Sequence, residues 1–217
     1  MTMWLEAMRQ CNLAPGDSSE HVIHWQFGMT VLSDDETSSE KVIVGRMLAD
    51  ELRRFEITER GENVWNVADA DSSGLEAAWS SLLDEQGEIR QEQVEGIADP
   101  VVYLYRFQLH PDFVDWRLAT LDGFCRTFGS DAVILAQHHT TWLSEAEFQT
   151  LGFRLLPKTR RPAPPGFPNI DRSTRFMVRD NACQVSMEAT DYPMDAPGGK
   201  SAHSDWLDRQ GPWDDLA

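Results

Sequence analysis

The residues best suited to proton transfer are histidines and tyrosines in the middle of the chain. His110 closes the segment 101–111, and His138 and His139 follow the apolar run 132–137. An imidazole titrates near neutral pH, so each of them suits the removal of a proton from an amine, directly or through a water. The plainer alternative is a solvated or hydrogen-bonded loop histidine. Tyr103 and Tyr105 share segment 101–111 and carry phenols able to give a proton, although strand tyrosines also serve simply to pack. Glu51 and Glu56 offer carboxylates of a kind also common on any surface. Adjacent histidines usually point in different directions, and no Cys or carboxylate stands at finger-like spacing from them, so no metal site is expected. The cations Arg154, Lys158, Arg160 and Arg161 oppose the acidic balance of the chain. They read either as an anion contact or as surface charge paired with the protein's own carboxylates.

Segment 101–111 alternates β-branched and aromatic residues and predicts a core strand. Leu118, Leu121, Phe124, Cys125 and Phe128 share one face of a predicted helix, with Gly129 placed to stop it. The run 132–137 is continuously apolar, as in strands buried on both faces. Strand, helix, strand predicts a parallel pair joined by a crossover. That arrangement would gather His110, His138 and His139 at the carboxyl end of the parallel strands, where α/β sheets usually bind ligands.

Residues 21–32 and the segment from Lys41 predict an antiparallel pair of strands. Residues 3–11 read as an amphipathic stretch inside an N-terminal arm, 1–20. The segment from Asn63 reads as a short strand and then a helix capped near Asp71, Ser72 or Ser73, with Leu75, Ala78, Trp79, Leu82 and Leu83 on one face. Residues 84–99 read as a solvated acidic linker. "WLSEAEFQTL" predicts a helix ending at Gly152, "FRLLP" the start of a strand and "STRFMVRD" a last strand, whose open edge would permit a homodimer. The globular domain is then 21–180, and 181–217 form an acidic, poorly ordered tail.

Composition agrees with a folded domain: 41% of the 217 residues are hydrophobic, with 8 Trp and 10 Phe to fill a core. A formal charge of −17 disfavours nucleic acid and leaves solubility, or attraction to a cationic partner, as its meaning. No apolar run is long enough to span a membrane. Cys11, Cys125 and Cys183 are distant and odd in number, which fits reduced thiols in a cytoplasm.

The order of elements, together with "LHPDF" leading into a helix and "EFQTLGFRLLP", resembles the GNAT (N-acetyltransferase) superfamily over residues 41–180. "EFQTLGF" is similar to that family's "fYxxLGF", and "DADSSGLEAAWSSLLDEQGEI" looks like a helix of one sub-branch. The resemblance implies a mixed α/β (α+β) fold, its sheet splayed at the centre and flanked by helices. Acetyl-CoA would lie where the parallel strands part, its pantetheine arm along Phe107 and Leu109. Its diphosphate would meet backbone N–H groups in a pattern R/Q-x-x-G-x-G/A, since a helix start offers unpaired donors. Val114, Arg117, Leu118 and Ala119 fall in that pattern, with Val114 for the cation, Arg117 for the first Gly and Ala119 keeping a small residue. Arg117 would then grip phosphate with its side chain or block the loop. Phe148 falls where many members carry a proton-donating Tyr, which leaves Tyr105 or Tyr103 as donor and His138, His139 or His110 as base. Two functions follow from the resemblance. One is acetyl-CoA-dependent transfer to a small-molecule or peptide amine; the other is a binding module that kept the scaffold and lost the cofactor.

Overall fold

Along β4 (Val101–Leu109), Val101 and Tyr103 enter one apolar core while Val102 and Leu104 enter another. A period of two sends successive side chains to opposite faces, so both faces need cover. β5 (Val133–Gln137) repeats the pattern, with Val133 and Leu135 on one side and Ile134 and Ala136 on the other. In β7 (Phe176–Asp180), Phe176 and Val178 oppose Met177 in the same way.

The structure is a computed structural model, described here for residues 3–11, 21–32, 41–83, 89–137, 143–157 and 175–183. β1 (Met3–Cys11), β2 (Val22–Leu32), β3 (Lys41–Leu52) and β6 (Arg154–Leu155) join the other strands in a seven-stranded sheet ordered β1-β2-β3-β4-β5-β7-β6. Its pairs are antiparallel except β4 with β5, which is parallel.

Between β3 and β4 the chain forms α1 (Arg54–Glu59), α2 (Val64–Asp71) and α3 (Ser73–Ser81). They cover the face of Val101 and Tyr103 with Ile57, Val67, Ala68, Leu75, Ala78 and Trp79. α4 (Arg117–Thr127) and α5 (Glu145–Thr150) cover the other face with Leu121, Phe124, Cys125 and Phe148. The fold is therefore the mixed α+β arrangement expected, a sheet flanked by helices. Among the described residues, no helix is long and apolar enough to cross a membrane.

Four expectations need correction. Residues 3–11 are a strand within the sheet, because nine residues of β1 pair antiparallel with β2. The segment from Val64 is helix, not strand: Asn63 caps it by accepting from the Trp65 N–H at 2.8 Å, and Val64, Val67 and Ala68 point inward at helical spacing. Residues 89–99 are not a free linker. Val94 and Ala98 are buried, and Asp180 accepts the N–H groups of Glu95 and Gly96 at 2.8 and 2.9 Å. The last strand is not at the end of the sheet, because β7 lies between β5 and the two-residue β6, which pairs with Met177 and Val178.

Candidate functional site

The parallel ladder pairs Val101 to Leu104 with Val133 to Ala136 and goes no further, although β4 continues to Leu109. The strand turns there through a bulge. Leu48 of β3 opposes Arg106 and Ala49 opposes Leu104, so Tyr105 is the extra residue between them. A bulge bends a strand and increases its twist. Tyr105 sits at this bulge, one residue past the last parallel pair, half-buried, its ring 5.9 Å from that of Tyr103. Burial, and then the charge of Asp50, push both phenols above their ordinary value, so both stay protonated.

Beside these rings lies a polar row that the sequence did not disclose. His24 on β2 opposes Asp50 on β3, and Asp50 opposes Tyr103 on β4. His24 Nδ1 lies 2.8 Å from Asp50 Oδ1, and Nε2 lies 3.4 Å from Oδ1 of Asp71, the last residue of α2. The hydrogen bond to Asp50 raises the His24 pKa against the opposing effect of burial. Three ligand-type atoms here lie within 4.8 Å of one another. In its protonated form the imidazole can donate to both carboxylates, through Nδ1 to Asp50 and through Nε2 toward Asp71. The Tyr103 hydroxyl accepts from Gln137 Nε2 at the end of β5, which extends the row to the parallel pair.

The turn from β4 to α4 has the opposite character: it uses its own donors. A 3-10 turn, Pro111–Trp116, runs directly into α4. Pro111 has no N–H. The Asp112 N–H donates to His110 Nδ1 at 3.2 Å, the Phe113 N–H to the His110 carbonyl at 2.8 Å, and the Arg117 N–H to the Val114 carbonyl. Arg117 continues inward with its side chain: Nη1 donates to Val114 O at 2.8 Å and Nη2 to Glu147 of α5. Leu118 packs on the core behind this turn, and Ala119 is half-buried within α4.

The remaining expected residues fall in several places. His110 is buried, and its Nδ1 accepts the Asp112 N–H at 3.2 Å. Phe107 and Leu109 belong to the core under α4. Phe148 is fully buried, 5.0 Å from the Phe153 ring. Glu51 lies on the other face from Asp50, holding Trp25 Nε1 at 2.6 Å and Arg53 at 2.7 Å; Glu56 also pairs with Arg53. Arg154 donates to the Gln93 carbonyl. His138, His139, Lys158, Arg160 and Arg161 lie outside the described residues. The missed members of the site, His24 and Asp50, carry one faint signal: the alternation of "HVIHWQF" puts His24 on the same face as the buried Val22. No family model, curated protein or solved structure matches the chain.

Proposed function

We propose that this chain is a GNAT-like binding module that does not hold acetyl-CoA through its β4–α4 turn. The observation that carries the reading is the internal use of that turn's donors, from Asp112 to Arg117. A diphosphate there would have to displace the His110 cap and the Arg117–Glu147 pair before gaining any contact. These N–H groups already donate to neutral acceptors, and each such bond, worth about 0.5–1.5 kcal/mol, must be given up to the diphosphate. The surface left to a ligand in the polar row is that of its half-buried members, His24 and Tyr105, whose rings suit a small-molecule or peptide amine.

A second reading, an acetyl-CoA-dependent N-acyltransferase, is favoured by a different observation: the parallel pairing ends at Leu104 and β4 bulges at Tyr105, a phenol that stays protonated. In that reading Tyr105 gives the proton to the departing thiolate, and a histidine of the set His110, His138 and His139 takes one from the amine. Thermal unfolding with acetyl-CoA separates the two. Ligand at a hundred times its dissociation constant adds about 2.7 kcal/mol of stability. The binding-module reading expects no shift at millimolar acetyl-CoA; a saturable upward shift would favour the transferase.

A further inference from the structure

We propose that His24 and Asp71 ligate a divalent transition-metal ion, with Asp50 orienting the imidazole for it. The hydrogen bond between His24 Nδ1 and Asp50 Oδ1, at 2.8 Å, ties one ring nitrogen. With the ring proton on that side, Nε2 carries a lone pair, and Oδ1 of Asp71 lies 3.4 Å from it. Two acceptors so placed repel each other unless a proton or a metal ion stands between them. A separation of 3.4 Å is long for a hydrogen bond. It suits two ligands of one ion: donors held at about 2.0–2.2 Å in tetrahedral or octahedral geometry stand about 3–3.6 Å apart.

The surroundings favour a metal ion. The side chains of Asp50 and Asp71 are 6% and 7% exposed, and buried charges are paired or coordinate metals. A proton on the imidazole brings one positive charge to two carboxylates, whereas a divalent ion brings two. One ligand-type atom from each of the three residues lies within 4.8 Å of the others, so Asp50 is near enough to share the charge of the ion. A carboxylate has two oxygens, so ligation through Oδ1 of Asp71 leaves the other for a protein donor. Asp50 supplies the usual support of a metal-bound histidine, a carboxylate that accepts from the far ring nitrogen and fixes tautomer and orientation. Its own place is set by strand pairing on both sides, opposite His24 on β2 and Tyr103 on β4.

The ion has a way in, because the His24 side chain is 39% exposed. Two protein ligands leave positions for water or for a donor atom of a further ligand. Imidazole with carboxylate suits ions of the zinc, iron(II) and manganese(II) type, whereas magnesium and calcium take oxygen ligands.

This site goes beyond the binding-module reading and stands whether or not acetyl-CoA binds. The test uses the full chain at about pH 8, where ordinary imidazoles are neutral. Zn²⁺ alone is titrated by calorimetry, and Mn²⁺ is added while the His24 ring signals are followed by NMR. We expect one zinc ion bound at submillimolar concentration, and paramagnetic broadening of the His24 ring by Mn²⁺. His24→Ala and Asp71→Asn should abolish that zinc binding, and Asp50→Asn should weaken it about tenfold or more. Zinc binding unchanged in His24→Ala or in Asp71→Asn, or a His24 ring untouched by millimolar Mn²⁺, would overturn the site. If a variant fails to fold, the Mn²⁺ titration of the unaltered chain decides alone.

Discussion

Arg117 and Glu147 join the start of α4 to the first turn of α5, the guanidinium donating to the carboxylate through Nη2. Glu147 also accepts the Ser144 N–H at 2.8 Å and completes a capping box, so one carboxylate closes two helix starts. The backbone N–H of Ser144 is the main cause that holds the Glu147 carboxyl below its usual range. The pair lies at the start of α4, where the GNAT resemblance would put a diphosphate.

Removing the two partners should not be equivalent. Both side chains are about a quarter exposed, 26% and 24%, so the ion pair itself is screened. Arg117→Ala should cost about 0.5–1 kcal/mol. Glu147→Ala loses the cap as well and should cost about 1–2 kcal/mol. Urea unfolding measures both, and equal losses would contradict the double role of Glu147.

Placing a tyrosine where the GNAT resemblance would have one should not create chemistry. Phe148 is fully buried against Phe153, so the hydroxyl of Phe148→Tyr enters a packed apolar core. A loss of about 1–3 kcal/mol is expected, with no gain in acetyl-CoA affinity. A stable variant that binds acetyl-CoA would refute this.

A buried ion pair fastens α4 to β7. Arg179 Nη1 meets Asp122 Oδ1 at 3.1 Å with both side chains 4% exposed, and Arg126 meets the other carboxylate oxygen at 2.6 Å. Asp122→Ala leaves the Arg179 cation buried and should cost about 3–5 kcal/mol. Arg126→Ala removes only a half-exposed i,i+4 partner and should cost about 0.3–0.5 kcal/mol. Calorimetric melting of the two variants checks the contrast; similar losses would mean that burial does not govern this network.

Gly45 is needed for close approach of strands. A Cβ there would lie 2.6 Å from the Gln108 carbonyl oxygen and 2.5 Å from the Met29 methyl. The backbone oxygen cannot yield as a side chain can, so Gly45→Ala should destabilise by about 1–3 kcal/mol. Unfolding by denaturant measures it, and an unchanged midpoint would show that β3 and β4 separate freely.

What could be read from the sequence was what local periodicity decides. Alternation marked β4, a continuous apolar run marked β5, and one-sided apolar spacing marked α3 and α4. β1 was read only as an amphipathic stretch of an N-terminal arm, because its place in the sheet is decided by pairing with β2, which lies elsewhere in the chain. α2 misled because Val64 and Val67 favour strands by type, while the Asn63 cap fixed a helix. The acidic composition of 84–99 hid the hold that Asp180 takes on Glu95 and Gly96. In the site, Tyr105 was visible as a phenol on a strand. His24 with Asp50 was not, since strand register brings together residues 26 apart. The closure of the turn at Asp112 was equally hidden, because it rests on the orientation of one imidazole.

The most direct measurement is amide hydrogen exchange at Asp112, Phe113 and Arg117, with and without acetyl-CoA. The account predicts slowed exchange at all three in the free protein, unaltered by millimolar acetyl-CoA. Exchange at unprotected rates in the free protein, slowing when acetyl-CoA is added, would contradict it.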